Sequence, residues 1–182
     1  MLRPYSVEKW DKVAQSGSKG CPLPIDEEGF IVFRGVHHLS IDAKGRLAMP
    51  TRQRERLQAL GDGQLVATID TQSRCLLLYP LPVWEELQSQ IQQLPTLDPV
   101  VRRFQRLLIG YASDLECDAS GRMLVPPALR EYANLDKRAV LVGQGNKMEL
   151  WDEDTWISER DKWLGMAAEQ GAMPEEMRRL AL

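Results

Sequence analysis

Hydrophobic and polar positions alternate along residues 35–41, a pattern that predicts a half-buried β-strand. Residues 42–45, Asp-Ala-Lys-Gly, interrupt the alternation with the chemistry of a tight turn, because aspartate accepts backbone amides and glycine tolerates a positive φ. A second short apolar strand follows over residues 46–49. The sequence therefore predicts a β-hairpin over residues 36–49.

The other periodic segments predict a mixture of short strands and helices, typical of an α+β fold. Apolar runs bounded by turn residues predict strands, and apolar residues at helical spacing behind a proline predict helices. In the first half, the predicted elements are a helix over residues 51–60, strands over 64–70 and 75–79, and helices over 83–93 and 99–108. In the second half, they are a hairpin over 112–125, a helix over 126–134, strands over 138–144 and 147–151, and a helix over 152–164.

The chain contains one motif twice. The first copy reads Leu-Ser-Ile-Asp-Ala-Lys-Gly-Arg over residues 39–46, and the second reads Leu-Glu-Cys-Asp-Ala-Ser-Gly-Arg over residues 115–122, 76 positions later. The same offset relates Pro50 to Pro126, and Arg54-Glu55 to Arg130-Glu131. Each copy spans only about 50 residues, which buries little apolar surface alone. We therefore expect two supersecondary units that share one core in a pseudo-symmetric fold.

Both ends of the chain differ in composition from the rest. Prolines and glycines break any periodicity in residues 1–31, so this stretch is predicted to be a disordered extension. The final stretch has helical composition but is acidic and weakly amphipathic. We expect residues 156–182 to form a C-terminal helix followed by an acidic tail.

The formal net charge of −3 conceals an uneven distribution. Residues 33–56 carry six basic and two acidic side chains, whereas residues 149–182 carry four basic and nine acidic ones. The overall charge argues against a generic nucleic-acid coat. The first hairpin and its helix can nevertheless form a local basic surface.

The sequence holds no pattern typical of catalysis, metal binding or a membrane span. Cys21, Cys75 and Cys117 are widely spaced, which favours free thiols over a zinc site. His37 and His38 are adjacent on a predicted strand and face opposite sides, which disfavours a shared ion. Nucleophile elbows, phosphate loops and apolar runs of roughly 18 residues are missing. We expect a cytoplasmic non-enzyme with no cofactor, metal, small-molecule substrate or membrane partner.

The repeated turn is the strongest candidate for function. Asp42 can hold its turn by accepting backbone amides or by pairing with Arg46, and Lys44 at the apex points outward. Arg46 can bridge to Asp42 or reach a phosphate or a guanine edge, and a two-stranded ribbon fits the major groove. Chemistry alone leaves a structural role and a DNA contact equally open for Arg46. The motif residues expected to shape the two turns are Asp42, Gly45, Asp118 and Gly121.

Several other side chains have two interpretations. Arginines at helical spacing can touch phosphate, but a solvated face or subunit salt bridges are favoured; they are Arg52, Arg54, Arg56, Arg102, Arg103 and Arg106. Aromatic residues recur at matched positions in both halves and predict core packing or a subunit interface; they are Tyr79, Trp84, Trp151 and Trp156.

These residues resemble the MraZ family of bacterial AbrB-like (SpoVT-AbrB) DNA-binding proteins. The resemblance covers residues 32–182 and rests above all on the doubled Asp-x-x-x-Arg motif and the Trp-Asp ending. The similar segments are Phe33-Arg34-Gly35, Leu39 to Pro50, Cys75 to Pro82, Arg102 to Ser113, Asp118 to Arg122, Leu141 to Gln144, Asn146-Lys147 and Glu149 to Asp152.

The resemblance implies a sequence-specific transcriptional regulator associated with the nucleoid, usually a repressor and autorepressor. Its partner would be double-stranded promoter DNA with short G-rich direct repeats, upstream of the division and cell-wall gene cluster. The implied fold is two AbrB-like swapped-hairpin β-barrel repeats in one pseudo-symmetric unit with flanking helices. Such units would assemble into a ring-shaped homo-oligomer. The alternative is a ring that serves structure or protein interaction without binding DNA.

The resemblance also implies boundaries. The two repeats would cover residues 36–83 and 112–155, with linking helices over 84–111. Family members typically begin with Met directly before Phe-Arg-Gly, where this chain has Val32. This departure implies that residues 1–31 lie upstream of the native start.

The family's DNA-binding positions map onto both copies of the motif. The motif arginine corresponds to Arg46 and Arg122, and the basic apex residue corresponds to Lys44. The family's early arginine corresponds to Arg34. Because the second copy has Ser120 at the apex position, the first repeat is expected to be the better DNA reader. The second repeat would then serve packing or subunit contact.

Overall fold

A computed structural model describes residues 32–169 of the chain. The predicted N-terminal extension and the last part of the predicted acidic tail lie outside the described residues. The strands are β1 (Phe33–Ser40), β2 (Arg46–Ala48), β3 (Leu65–Ile69), β4 (Cys75–Pro80), β5 (Ser113–Leu115), β6 (Arg122–Leu124), β7 (Arg138–Gly145) and β8 (Lys147–Asp152). The helices are α1 (Thr51–Gly61), α2 (Leu81–Gln92), α3 (Pro99–Leu108), α4 (Pro127–Tyr132) and α5 (Glu153–Glu169).

The predicted turns form, but the local hairpins predicted around them are wrong in their strand pairing. A single bridge between Ile41 and Leu47 joins β1 to β2, and a matching bridge joins Cys117 to Met123. Beyond these bridges the strands diverge: β1 pairs with β7, β5 pairs with β3, and β2 pairs with β6. Each strand next to a turn therefore finds its main partner in the other repeat, which is the swapped arrangement.

The sheet order reveals a pseudo-twofold axis. Six strands form one antiparallel sheet in the order β1-β7-β8-β4-β3-β5, and β2 and β6 form a separate ribbon. The counterparts in the two repeats are β1 and β5, β2 and β6, β3 and β7, and β4 and β8. If each strand is replaced by its counterpart, the same strand order is obtained, read from the opposite edge of the sheet. The expected α+β fold of two AbrB-like repeats in one pseudo-symmetric unit is confirmed.

One core lies between the ribbon and the sheet. It joins Leu47 and Met123 of the ribbon to Leu76 and Leu141 of the central strands, and α1 adds the buried Leu57. The repeats thus share apolar surface that neither of them could enclose alone.

The opposite face of the sheet is covered by α2 on one half and by α5 on the other. Trp84 of α2 packs against Tyr79 with ring centroids 5.9 Å apart. Trp156 and Trp163 of α5 pack against Trp151, with centroid distances of 5.7 and 5.8 Å. The matched aromatic residues therefore serve core packing, and α5 extends past the predicted end at residue 164.

Candidate nucleic-acid interface

The first turn is held by the carboxylate of Asp42. Its Oδ1 accepts the backbone N–H groups of Lys44 and Arg46, both at 2.9 Å. Its Oδ2 accepts Nε–H of Arg46 at 2.8 Å, and Nη2 of the same guanidinium lies 2.7 Å away. The backbone of Gly45 reaches φ +83°, which its missing Cβ makes inexpensive. One carboxylate thus fixes both the turn and the direction of the arginine.

The second turn repeats this geometry. Asp118 Oδ1 accepts the N–H groups of Ser120 at 2.8 Å and Arg122 at 3.0 Å. Asp118 Oδ2 accepts Nε–H of Arg122 at 3.1 Å and lies 3.0 Å from Nη2. The aspartate–arginine clasp is therefore a property of the motif in both copies.

Both clasps are ionic at neutral pH. The side-chain hydrogen bond from Arg46, and next the backbone N–H of the same residue, lower the pKa of Asp42 to about 2. For Asp118, the backbone N–H of Arg122 makes the largest contribution to lowering the pKa of the carboxyl. Each aspartate stays negative and holds a positive arginine in place.

The pseudo-twofold axis brings the two motif arginines onto one surface. In the β2·β6 ribbon, Leu47 faces Met123, and both are buried in the core. Because neighbouring residues on a strand face opposite sides, Arg46 and Arg122 lie on the outward face. They are diagonal neighbours across the ribbon, about 7–8 Å apart. Their side chains are 29% and 40% exposed.

Each turn is braced by the other repeat. Val125 N–H donates to the carbonyl of Gly45 at 3.1 Å, and Met49 N–H donates to that of Gly121 at 2.9 Å. A Cβ at Gly45 would lie 2.6 Å from Cζ of Arg130. A Cβ at Gly121 would lie only 1.5 Å from Nη1 of Arg54, the pseudo-symmetric arginine. Arg54 and Arg130 are 76 residues apart, the same offset as the two turns. This repeated spacing was the only indication in the sequence that each arginine packs against the turn of the other repeat.

The remaining predicted DNA-binding residues lie at different distances from the ribbon. Lys44 is exposed at the apex of the first turn, and its ammonium has no hydrogen bond or ion pair among residues 32–169. Ser120 is exposed at the equivalent apex. Arg34 lies near the start of β1, six residues before Ser40 and roughly 20 Å along the strand from the turn. The structure thus groups Lys44, Arg46 and Arg122 but leaves Arg34 elsewhere.

The two histidines and the thiol of Cys75 have structural partners, whereas Cys21 lies outside the described residues. His37 contacts Gln53 of α1 at 3.0 Å, whereas His38 contacts Glu153 of α5 at 2.7 Å, on the other side of β1. Burial raises the pKa of the Cys75 thiol. Across the described part of the chain, no group of three or more His, Cys, Asp or Glu side chains could hold a metal ion. Residues 32–169 also contain no helix that is long and apolar enough to cross a membrane.

The family model described as "MraZ protein, putative antitoxin-like" matches residues 32–107 and 108–169. The chain belongs to the MraZ family. Among its curated relatives, the transcriptional regulator MraZ of Alkalilimnicola ehrlichii is 56% identical over 151 residues, which cover 83% of this chain and 100% of the relative. The transcriptional regulators MraZ of Halorhodospira halophila and Pseudomonas aeruginosa are 55% and 53% identical, with the same coverage.

The two segments that match the MraZ family divide the chain at the end of α3, so each segment carries one Asp–Arg turn. The ribbon that presents both arginines takes β2 from the first segment and β6 from the second. The candidate interface therefore exists only when both MraZ segments fold together.

Proposed function

We propose that this chain is a sequence-specific, DNA-binding transcriptional regulator. The observation that carries the proposal is the β2·β6 ribbon, which presents Arg46 and Arg122 on one exposed face with Lys44 at its edge. A two-stranded ribbon has the dimensions to enter the major groove of B-DNA. The relatives that are named transcriptional regulator MraZ support the same conclusion.

The clasp prepares each arginine for recognition. A guanidinium has five N–H donors, and Asp42 engages the Nε and Nη2 side of Arg46. Donors on the remaining side are free to reach a phosphate or the O6 and N7 acceptors of guanine. Because the side chain is already oriented, little conformational entropy is lost on binding. The structural role and the DNA contact, which the sequence left as alternatives for Arg46, are thus compatible.

We further propose that several copies of the chain assemble into a ring. Apolar side chains are exposed on α3, in the middle of the chain, and on α5, including Val100 of α3 at 60% and Leu164 of α5 at 64%. Arginines predominate on α3 and acidic residues on α5, so the two helices suit a head-to-tail contact between copies. A ring would present repeated ribbons to spaced direct repeats, and linked sites gain effective concentration.

The finer function follows the family resemblance. The proposed operators are short G-rich direct repeats in the promoter of the division and cell-wall gene cluster. The chain would repress that cluster, including its own gene, and would associate with the nucleoid. Arginine is the residue best suited to read guanine edges, which supports G-rich operators.

The deciding experiment is a titration of labelled promoter DNA from the organism's own division cluster. Wild type is compared with Arg46→Ala, and with Arg74→Ala as the control. Arg74 is also exposed, but it lies in the loop between β3 and β4, outside the ribbon and outside the two helices of the proposed assembly contact. We expect Arg46→Ala to lose about 1–3 kcal/mol per lost guanine contact, or roughly 5- to 150-fold in affinity. Light scattering must show that all three proteins assemble alike.

The same titration tests the difference between the two turns. Lys44→Ala is expected to weaken binding and to reduce its salt dependence by about one released ion, whereas Ser120→Ala is not. Equal losses from these two variants would contradict a dominant first repeat.

The scaffold alternative rests on the exposed apolar residues of α3 and α5, which favour assembly with or without DNA. Wild type that assembles but binds no promoter DNA, at low as well as moderate salt, would establish that alternative. DNA binding that Arg46→Ala abolishes without disturbing assembly would exclude it.

A further inference from the structure

A second basic cluster lies between α1 and the start of β1, apart from the ribbon. Arg52 and Arg56 are one turn apart on α1 and share a face of that helix. Arg34 and Arg52 are exposed, whereas the side chain of Arg56 is only 2% exposed. The prediction that Arg56 lies on a solvated helix face is therefore wrong, because the residue packs beneath its neighbours.

Arg56 is incompletely paired in this buried position. Its Nη1 donates to Oε1 of Gln53 at 3.0 Å, and Gln53 is held in turn by the carbonyl of Arg34 at 2.9 Å. Its Nε is buried and has no hydrogen-bond partner within the described part of the chain. Among residues 32–169, no carboxylate lies within 4.0 Å of its guanidinium. A buried charge without a counter-ion is costly, and such groups normally bind an ion or a partner.

The surroundings increase the positive potential. Burial, and next the charges of Arg52 and Arg34, lower the pKa of Arg56, but a guanidinium remains charged near neutral pH. The first turn of α1 contains no acidic residue, and its N-cap, Pro50, offers no side-chain hydrogen bond. The positive end of the helix dipole is thus uncompensated next to the arginines.

The second repeat shows that the fold does not require this charge. At the offset of 76 residues, Gln53 corresponds to Leu129 and Arg56 corresponds to Tyr132 on α4. Leu129 is buried in the shared core, and the Tyr132 ring packs against it. Apolar and aromatic side chains therefore fill the equivalent position in the second repeat. Packing does not explain why the first repeat has Gln53 and Arg56 there, whereas binding of a ligand does.

We propose that Arg34, Arg52 and Arg56 form an oxyanion site that binds a phosphate group. Three guanidiniums exceed the charge of one carboxylate, whereas a phosphate offers several acceptor oxygens and up to two negative charges. Arg56 supplies the floor of the site, and the two exposed arginines supply its rim. Helical side chains lean towards the helix N-terminus, which directs Arg56 towards the same end of α1. The phosphate is either a free anion or part of a DNA backbone.

The first test is thermal unfolding of the full chain in a phosphate-free buffer, titrated with inorganic phosphate or with chloride at matched ionic strength. We expect a saturable rise in Tm with phosphate, since a ligand that binds the folded state stabilises it. Arg52→Ala should weaken the apparent phosphate affinity at least about tenfold, as for the loss of one charge-assisted contact. Arg74→Ala, which removes an exposed arginine of the loop between β3 and β4, is the matched control and should respond like wild type.

A second variant distinguishes loss of phosphate binding from misfolding of the protein. The double substitution Gln53→Leu/Arg56→Tyr copies the second repeat into the first and should remain folded while losing the phosphate response. A rise in Tm that is equal for phosphate and chloride, or that both cluster variants retain, would overturn the proposal. So would loss of assembly by Arg52→Ala in phosphate-free buffer, because a carboxylate of a second copy would then fill the site.

A DNA titration distinguishes the two sources of phosphate. If a DNA backbone occupies the site, free phosphate competes with DNA, and Arg52→Ala lowers the salt slope by about one ion. If the ligand is a free anion, phosphate still stabilises the DNA-bound protein, and the salt slope does not change. The phosphate titration needs no DNA, so its failure is separate from failure of the proposed DNA-binding function.

Discussion

Asp42 accepts three hydrogen bonds within the first turn, so its ionisation is part of the structure of that turn. Its pKa of about 2 in the folded chain lies below the ordinary value of 3.8. A carboxyl with a depressed folded pKa stabilises the fold above its unfolded pKa. That contribution disappears as the pH falls from about 4 through 2.

This linkage predicts the behaviour of Asp42→Asn. The wild type should be more stable than the variant near neutral pH, and the difference should shrink steadily between pH 4 and pH 2. Urea unfolding at a series of pH values measures it. Asp154→Asn, which removes a carboxyl largely exposed on α5, serves as the control. A stability difference that stays constant down to pH 2 would contradict an ionic clasp.

Interactions between side chains that are close together in the sequence could be predicted from the sequence. The turn at residues 42–45 and the clasp of Asp42 and Arg46 follow from side chains a few positions apart. Burial of Arg56 did not follow, because it depends on tertiary contacts of α1, such as the hydrogen bonds between Gln53 and β1. Helical spacing predicts on which face of a helix a side chain lies, but not which other elements cover that face.

At the scale of elements, the turns were predictable but the partners of their strands were not. Asp42 and Gly45 have the chemistry of a tight turn, which reverses the direction of the chain. The two strands that flank such a turn ordinarily pair with each other. Here β7 competes for β1 and pairs with it over eight residues, from Phe33 to Ser40. The internal repeat signalled a shared core, but not which strands are exchanged within it.

The brace between repeats predicts an unequal response of two glycines. Gly45→Ala and Gly145→Ala both place a Cβ at positive φ, at +83° and +72°. At Gly145 no atom of residues 32–169 lies within 4 Å of the new Cβ. At Gly45 the new Cβ meets the guanidinium of Arg130, whose Nε donates to the carbonyl of Val125 at 3.1 Å. Gly145→Ala should cost about 1 kcal/mol from backbone strain, and Gly45→Ala should cost more.

A double-mutant cycle separates strain from contact. Arg130→Ala should remove part of the extra cost of Gly45→Ala, while it should add independently to the cost of Gly145→Ala. Chemical denaturation of wild type, the three single variants and the two double variants gives the free energies of unfolding. Equal costs for the two glycine variants would show that the brace does not stabilise the turn.

At the scale of the whole molecule, the swapped pairing makes the two repeats interdependent. Residues 32–107 keep only the β3·β4 pairing and the single bridge between Ile41 and Leu47. In this segment β1 loses β7, β2 loses β6, and β3 loses β5. The shared core is likewise divided between the two segments. The β2·β6 ribbon, and the backbone hydrogen bonds that link each turn to the other repeat, cannot form within one segment.

We therefore predict that residues 32–107 and residues 108–169, produced separately, do not unfold cooperatively as monomers. Mixing them in equal amounts should restore the six-stranded sheet, a cooperative thermal transition and the mass of a one-to-one complex by light scattering. Because the repeats are pseudo-equivalent, residues 32–107 alone can also pair as a homodimer, with one copy supplying the partner strand of the other. A folded, cooperative monomer of residues 32–107 would contradict the interdependence. The mixed segments should also regain promoter binding, because only their complex contains a ribbon with both Arg46 and Arg122.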